Sequence, residues 1–322
     1  MKTSFEVFLA VADTLSITKA ADSLHVTQQC ASDHIRRLEM EYRVQLFERK
    51  PRFRLTEAGE TMLQSLQSIR NMERDLERNL QEISEGTKGS FTLGISTSRA
   101  PLILPAVLSR YYRQYPNVNI SFIEEDTHFL ENRLTKGSVD LFIGINTTSS
   151  PEYQIDTVIY DKIMLVASRR LLRQHFSDRE IKDMAAGVDL SRMTEIPFAL
   201  AQNVGKVTHA IWEYLNSNGI RLNMVYNVSD TRSQTNICIT GICAALCPEM
   251  LLDTAYQHNR YCAPEDELLI LPLQKFGTDL KVDLVTRKNA LYPKYVREFI
   301  KIVKEELLII DSKKGEPEYG II

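Results

Sequence analysis

The sequence predicts an α+β chain of several domains, and three observations predict it. Residues 1 to 56 are dense in short helical patterns, and residues 57 to 85 form one long pattern with no Gly or Pro after Gly59. From Phe91 onward, short β-rich runs alternate with helical segments. A length of 322 residues suits two or three domains. Hydrophobic residues make up 43% of the chain and charged residues 25%, with a formal charge of −3, which is the composition of a folded chain rather than a disordered one. That net charge neither favours nor excludes nucleic acid.

The first element, Phe5 to Ala12, has the length of a signal-peptide core. Glu6 and Asp13 interrupt it and no small-residue cleavage site comes after it, so an amphipathic helix with Phe5, Phe8, Leu9 and Ala12 inward is expected, in a cytoplasmic protein. No run reaches the ~18 apolar residues of a membrane span.

In AADSLHVTQQCASDHIRRLE, residues 20 to 39, two helical patterns are separated by a very short connection. Ala20, Ala21 and Leu24 share one face of the first; Ala31, Ile35 and Leu38 recur at helical spacing in the second. Paired alanines permit a close crossing. His25 tolerates a left-handed turn, Val26 can plug the corner, and Thr27 is placed as an N-cap. Helix, tight turn and helix form a helix-turn-helix, whose second helix enters the major groove with its first residues on base edges.

The outward residues there are Gln28, Gln29, Ser32, Asp33 and Arg36, with Arg37 beside them. Gln can pair bidentately with adenine, and Arg can reach guanine or phosphate. A plain solvated helix hairpin would show the same polarity, and Thr27 would cap it equally well. The charge of the next segment separates the two readings. Arg36, Arg37, Arg43, Arg49, Lys50, Arg52 and Arg54 face only Glu39, Glu41 and Glu48, seven cations against three anions in a chain that is acidic overall. In RKPRFRLT, Phe53 and Leu55 alternate with Arg52 and Arg54 around a Lys50-Pro51 turn, as in a small hairpin wing whose basic face tracks phosphates.

Met62, Leu66, Ile69, Leu76, Leu80 and Ile83 then recur at spacings of three, four or seven, a heptad seam that Glu73 interrupts. Arg70, Arg74, Asp75, Glu77 and Arg78 suit its solvated faces, and a dimer helix is expected in preference to one packed on its own domain. Two glycines in EGTKGS, residues 85 to 90, end it as a C-cap and hinge.

The runs FTLGIS, VNISFIEE, VDLFIGI, KIMLVAS, PFALA, MVYNVS, AALC, LLILPL and KVDLVTR alternate with helical segments, which predicts parallel βαβ units in a region long enough for two lobes. In such sheets ligands bind beyond the carboxyl ends of strands. Four ends carry suitable residues: Ser96, Thr97 and Ser98; Asn146 and Thr147; Gln202 and Asn203, with Gly205 and Lys206 close by; and Asp230 and Thr231. Hydroxyls and backbone N–H groups at the first end could receive an anion, with a carboxylate metabolite as the default ligand. Ordinary capping and turn chemistry is the competing account of each residue.

Five cysteines, at 30, 238, 243, 247 and 262, make no paired motif, and the three in ICITGICAALCPEML sit in apolar sequence that favours inert thiols. Six histidines form no zinc-binding pattern, and neither a phosphate-binding Gly-rich loop nor a Gly-x-Ser-x-Gly elbow occurs. No catalytic residues, metal or cofactor are expected.

Taken in order, Phe8, Val11, Ala12, Ser16, Ala20-Ala21, Leu24, Val26-Thr27-Gln28, Ala31-Ser32, Ile35, Leu38-Glu39, Leu46-Phe47, Arg49, Leu55-Thr56 and Ala58-Gly59 resemble the N-terminal signature of LysR-type transcriptional regulators. Pro116, Asp140, Pro197-Phe198 and the Gly241 to Pro248 segment continue the resemblance more loosely, to about residue 302. Gln29 stands where a proline is usual, Leu15 and Arg43 where glycines are usual, and Cys243 replaces the second glycine of the late Gly-x-Gly.

The resemblance implies a winged helix-turn-helix, a linker helix for dimerisation and a two-lobed effector domain like a periplasmic binding protein. It implies a homodimer or homotetramer on a dyad-symmetric operator in double-stranded DNA, with RNA polymerase as a further partner. It also implies a small-molecule effector between the lobes, contacted by Ser96 to Ser98 and by Gln202 and Asn203. The expected division is 1–57 for the DNA-binding domain, 58–89 for the linker helix and hinge, 90–162 with 268–303 for lobe 1, 163–267 for lobe 2, and 304–322 for a C-terminal tail. Two alternatives stand beside it: a regulator of the same family that senses oxidants through its cysteines, and a binding protein with no role in transcription.

Overall fold

The computed structural model describes residues 1–50, 52–85, 88–202, 205–277 and 279–314, in two units, the first built on Met1–Ser84 and the second holding most of the chain from residue 85 onward.

The first unit opens with α1 (Thr3–Thr14), which buries Val7, Phe8, Leu9, Val11 and Ala12. Phe5 is only partly buried against that core. Ser16 caps α2 (Ile17–Ser23) by accepting the Lys19 N–H at 3.3 Å. Ala20 and Ala21, 0% and 1% exposed, let α2 lie close against its neighbours. His25 takes the left-handed conformation at φ 54°, and the Val26 N–H closes the corner onto Ala21 O at 3.0 Å. Val26 itself is 37% exposed and plugs nothing. The backbone bond, not the side chain, holds the corner. Thr27 caps α3 (Gln28–Tyr42) through its hydroxyl and the Cys30 N–H at 3.1 Å, and Ala31, Ile35 and Leu38 face the core.

Leu15 and Arg43 end α1 and α3 in the left-handed region, at φ 44° and 55°, so the chain keeps there a geometry that glycine would adopt without strain. Strands β1 (Phe47–Glu48) and β2 (Arg54–Leu55) pair antiparallel as a short hairpin. Phe53 stacks on Phe47 at 4.9 Å, and Phe47 meets Phe8 of α1 at 5.4 Å, which fastens the hairpin to the core. Glu39 on α3 accepts the Leu46 and Phe47 N–H groups at 2.9 and 3.4 Å. That carboxylate serves the hairpin backbone. The 29-residue α4 (Glu57–Glu85) comes next, with Leu66 buried and Ile69, Met72, Leu76 and Leu80 exposed.

Among the described residues the second unit holds a five-stranded sheet, a three-stranded sheet and a two-stranded pair. Its first lobe begins with β3 (Gly89–Ile95), α5 (Ala100–Tyr112), β4 (Val118–Glu124), α6 (Thr127–Thr135), β5 (Leu141–Ile145) and β6 (Tyr153–Asp161). The chain then crosses at Lys162 to the second lobe: β7 (Ile163–Ser168), α7 (Arg169–Arg173), α8 (Asp178–Asp183), β8 (Pro197–Leu200), α9 (Gly205–Ser217), β9 (Asn223–Asn227), α10 (Thr231–Ile239), β10 (Ala245–Pro248), α11 (Asp253–Asn259) and β11 (Leu268–Pro272). It returns through β12 (Leu280–Arg287) and ends in α12 (Lys294–Ser312).

The first sheet has the order β4-β3-β5-β12-β6, and the second has β10-β7-β11 beside a parallel β8-β9 pair that touches β10 through a Phe198–Ala244 bridge. The first sheet is mixed, and the three-stranded sheet is antiparallel throughout. β12 runs antiparallel to β5 and β6, and β7 runs antiparallel to β10 and β11. The βαβ expectation holds for β3 with β4 and β5 and for β8 with β9, where a helix carries the chain back. It fails where the chain changes lobe. β11 pairs with β7, so the return to lobe 1 comes after Pro272 and not at residue 268.

Residues 304–312, expected as the start of a C-terminal tail, are helical. They continue α12, which buries Tyr295, Val296, Phe299, Ile302, Val303, Leu307 and Ile310 at helical spacing. Phe91 and Tyr111 pack against Tyr295 and Phe299 of this helix, with the Tyr111 hydroxyl donating to Tyr295 O at 3.0 Å. No helix among the described residues is long and apolar enough to cross a membrane.

Candidate nucleic-acid interface and effector cleft

The first turns of α3 present Thr27, Gln28 and Gln29 to solvent, with Ser32 and Asp33 half-buried behind them. Gln29, Ser32, Asp33 and Arg36 recur at helical spacing opposite Ala31, Ile35 and Leu38, so packing one face exposes the other. Arg36 and Arg37 are exposed, and Arg36 lies 3.9 Å from Asp33. On the hairpin Arg49, Lys50, Arg52 and Arg54 are exposed. Arg54 is held by Glu48 at 2.6 Å across the strands, so it braces the hairpin and is the least available of these cations. Pro51 lies outside the described residues.

The cleft of the second unit lies between its lobes. A cavity of about 90 Å³ is walled by Ser96, Ser98, Arg99, Asp126, Thr127 and Ile145 from lobe 1, and by Leu200, Ala201, Gly205 to Thr208, Ser229, Thr231 and Gln234 from lobe 2. It opens toward Thr97, Glu125, Phe129 and Asp230 on one side, and toward His128, Gln202, His209 and Trp212 on the other. The strands β3, β4, β5 and β8 point their carboxyl ends at it, and α5, α6, α9 and α10 start from it. Helix starts carry unsatisfied N–H groups and a partial positive charge, which favours an anion.

The hydroxyl oxygen of Ser96 is buried and has no hydrogen-bond partner among the described residues. Asp230 already serves α10, accepting the Ser233 N–H at 2.8 Å, while Thr231 lines the wall. Lys206 of lobe 2 reaches across the cleft to lobe 1. It donates to Thr148 Oγ1 at 2.9 Å and lies 3.8 Å from Glu131, and Asp126 faces Gly205, where an added Cβ would come within 3.1 Å of its carboxylate.

The structure therefore brings together Ser96, Thr97, Ser98, Gln202, Asp230 and Thr231. Asn146 and Thr147 are not among the described residues that wall these cavities. At φ 45°, Asn146 receives the Lys281 N–H on its side chain at 2.9 Å, and the Thr147 N–H donates to Asp283 at 2.9 Å, so both close the β5–β12 edge. Asn203 lies outside the described residues. Arg99, Asp126, Thr127, Thr208, Ser229 and Gln234 escape the strand-end reasoning because they sit one turn into a helix or on the connection before it. A cation directly after Ser96-Thr97-Ser98 is the one available signal for Arg99.

Cys238, Cys243 and Cys247 pack against Met164, Val166, Ala199, Leu252 and Leu268. The Cys238 thiol is raised, chiefly because it donates to Cys243, whose own thiol that bond lowers. Burial pushes Cys247 up to about 12. Cys238 and Cys247 are thus poor thiolates at neutral pH, and all three are fully buried.

A helical DNA reader with a hairpin wing, joined through a long helix to a two-lobed α/β domain with a cleft, defines a ligand-responsive transcription factor. Residues 3–60 match the family described as bacterial regulatory helix-turn-helix protein, lysR family, and residues 84–308 match the LysR substrate binding domain. The chain belongs to the LysR family of transcriptional regulators and carries that family's effector-binding domain. It is 23% identical over 253 residues to the HTH-type transcriptional regulator YcgK of Bacillus subtilis (strain 168), covering 75% of this chain and 78% of that one. It is 26% identical over 230 residues to the HTH-type transcriptional activator CmpR of Synechocystis sp., covering 71% and 72%.

The crystal structure of ArgP from Mycobacterium tuberculosis shares its fold with a TM-score of 0.64 at 17% identity, over 95% of this chain and 96% of that one. Full-length CbnR complexed with its target DNA does so at 0.54 and 16%, over 95% and 100%.

Proposed function

We propose that α3 reads a dyad-symmetric operator through Gln28, Gln29, Ser32, Asp33 and Arg36. Thr27, Arg37, Arg49, Lys50, Arg52 and Arg54 track the phosphates, and a small molecule bound between the lobes sets the output. The exposed, amide-rich start of α3 above a packed apolar face is the observation that carries the DNA reading. Phosphate contacts position the helix and base contacts specify the site. The exposed row Ile69, Met72, Leu76 and Leu80 supports pairing of α4 with a second copy, in a homodimer or a pair of them. Such an assembly would work in the cytoplasm, carry out no chemistry of its own and act on RNA polymerase at the promoter.

The proposed division keeps 1–57 for DNA, 58–89 for the linker and the two lobes for the effector, with β11 assigned to lobe 2. Gln29→Ala is expected to relax preference at one position of each half-site by about 1–3 kcal/mol, leaving nonspecific affinity unchanged. Binding-site selection on the full protein checks this, and an unaltered preferred sequence would remove Gln29 from the reading.

For the effector, the helix starts around the cavity and the orphaned Ser96 hydroxyl support a ligand with an anionic group, a carboxylate first among them. Thr97→Val is expected to abolish the effector response of a promoter reporter while a footprint on the operator stays intact. A full response from that variant would place the ligand elsewhere.

A further inference from the structure

One residue in the wall of the cleft has its ionic partner outside the cleft. Arg99, 2% exposed, lines the cavity and holds Nη2 3.4 Å from Asp161 Oδ2. Asp161 is the last residue of β6, fully buried, and the chain crosses to lobe 2 at the next residue. Its Oδ1 accepts the Met250 N–H of lobe 2 at 3.0 Å and lies 3.4 Å from Lys314 Nζ. Lys314, two residues past the end of α12 and 8% exposed, also donates to Tyr160 O at 3.2 Å and pairs with Asp311 at 2.7 Å. One buried carboxylate thus joins the cleft wall, the crossover, the second lobe and the C-terminal end of the last helix.

A carboxylate so deeply buried must keep compensation, and its two cations share it, so each one's hold depends on the other. Arg99 is the only one of the pair that lines the cavity where an anionic ligand would bind. We propose that Arg99 is divided between effector and crossover: the ligand's anionic group draws the guanidinium from Asp161, which then rests on Lys314 and the Met250 N–H. The exchange carries occupancy of the cleft to the segment that joins the lobes. This rests on the reading of the cleft as the effector site.

Linkage fixes the signs, since whatever strengthens the hold of Asp161 on Arg99 weakens the ligand by the same factor. Asp161→Asn removes this carboxylate's hold on Arg99 and tightens anion binding, by about tenfold within the usual range of such couplings. Lys314→Met removes the competing cation and weakens anion binding several-fold. Lys314→Arg restores it.

The single tryptophan of the chain, Trp212, lines the same cleft and donates Nε1–H to Ala201 O at 2.9 Å, which makes it a reporter. Its fluorescence is monitored as the full-length protein is titrated separately with sulfate, malonate and benzoate, with Thr97→Val as the control for the cleft. The expected result is opposite shifts of the midpoint in Asp161→Asn and Lys314→Met, with Lys314→Arg at the wild-type value. Unchanged midpoints, or weakening in both variants, would overturn the proposal while leaving the cleft reading in place. If Asp161→Asn does not fold, the two Lys314 variants decide the sign. If none of the three anions moves the wild-type signal, the cleft reading fails and the proposal falls with it.

Discussion

Gly59→Ala is expected to lower the stability of the DNA-binding unit by about 3 kcal/mol, at the upper end of the usual cost of overpacking. A Cβ at this position would stand 2.2 Å from Leu46 O and 2.9 Å from Leu55 Cδ2. Neither neighbour can give way cheaply. Leu46 O already accepts the Thr56 N–H at 3.1 Å, and the Thr56 hydroxyl ties Gln45 O to the Gly59 N–H at 2.6 and 3.0 Å. Glycine is needed here for close approach, where the start of α4 presses on the connection that leads into the hairpin. To admit a methyl group α4 must retreat, and it takes with it the bonds that hold Leu46 and the hairpin against α3.

A unit of this size has only a few kcal/mol in reserve, so the loss falls on DNA binding as well as folding. Thermal melting of the full-length protein should show an earlier first transition, and operator affinity should drop at temperatures where the second unit is still folded. A variant that melts and binds like the wild type would show that α4 and the hairpin are not locked together.

The same neighbourhood shows why the DNA reader is legible in the sequence. Its determinants are local: the Thr27 cap, the alanine pair, the inward Ala31, Ile35 and Leu38, and the basic hairpin all lie within a few turns of one another. Leu15 and Arg43 mark the limit, because the left-handed backbone persists there without the glycines that would announce it. Packing on both sides sets the geometry and the residue tolerates it.

The second unit is less legible because its pairings are remote. β6 has no clear strand pattern since Gln154, Asp156 and Thr157 dilute its apolar residues, and it is a strand chiefly because β12, more than a hundred residues later, lies alongside it. Nothing local says that Leu268 to Pro272 pair with β7, so sequence reasoning puts β11 in the wrong lobe. Strand ends point to Ser96 to Ser98, Gln202, Asp230 and Thr231 but also to Asn146 and Thr147, since polar residues at a strand end satisfy backbone groups as readily as they meet ligands. The converging helix starts and the bridge from Lys206 to Thr148 belong to tertiary structure alone.

Asp140→Ala is expected to cost about 3–5 kcal/mol, the range for removing one partner of a buried charge pair. Asp140 is 1% exposed; its Oδ2 accepts the Thr92 N–H at 2.8 Å, its own N–H returns to Thr92 O at 2.9 Å, and Oδ1 faces Arg287 at 3.6 Å. The carboxylate thereby fastens β3 to the start of β5, and its charge balances a guanidinium, 9% exposed, at the end of β12. Alanine would empty both positions. Asparagine keeps an acceptor for the Thr92 N–H and loses only the charge, so Asp140→Asn should cost less.

The decisive comparison is a double-mutant cycle with Arg287→Met, measured by urea unfolding of the full chain. If the ion pair dominates, Asp140→Ala costs clearly less in the Arg287→Met background, because no buried cation is then left facing the gap. Equal cost in both backgrounds would show that the effect does not come from the pair with Arg287. Since β3 carries the Ser96 loop, the loss should also blunt the Trp212 response to anions under conditions where α3 still binds its operator.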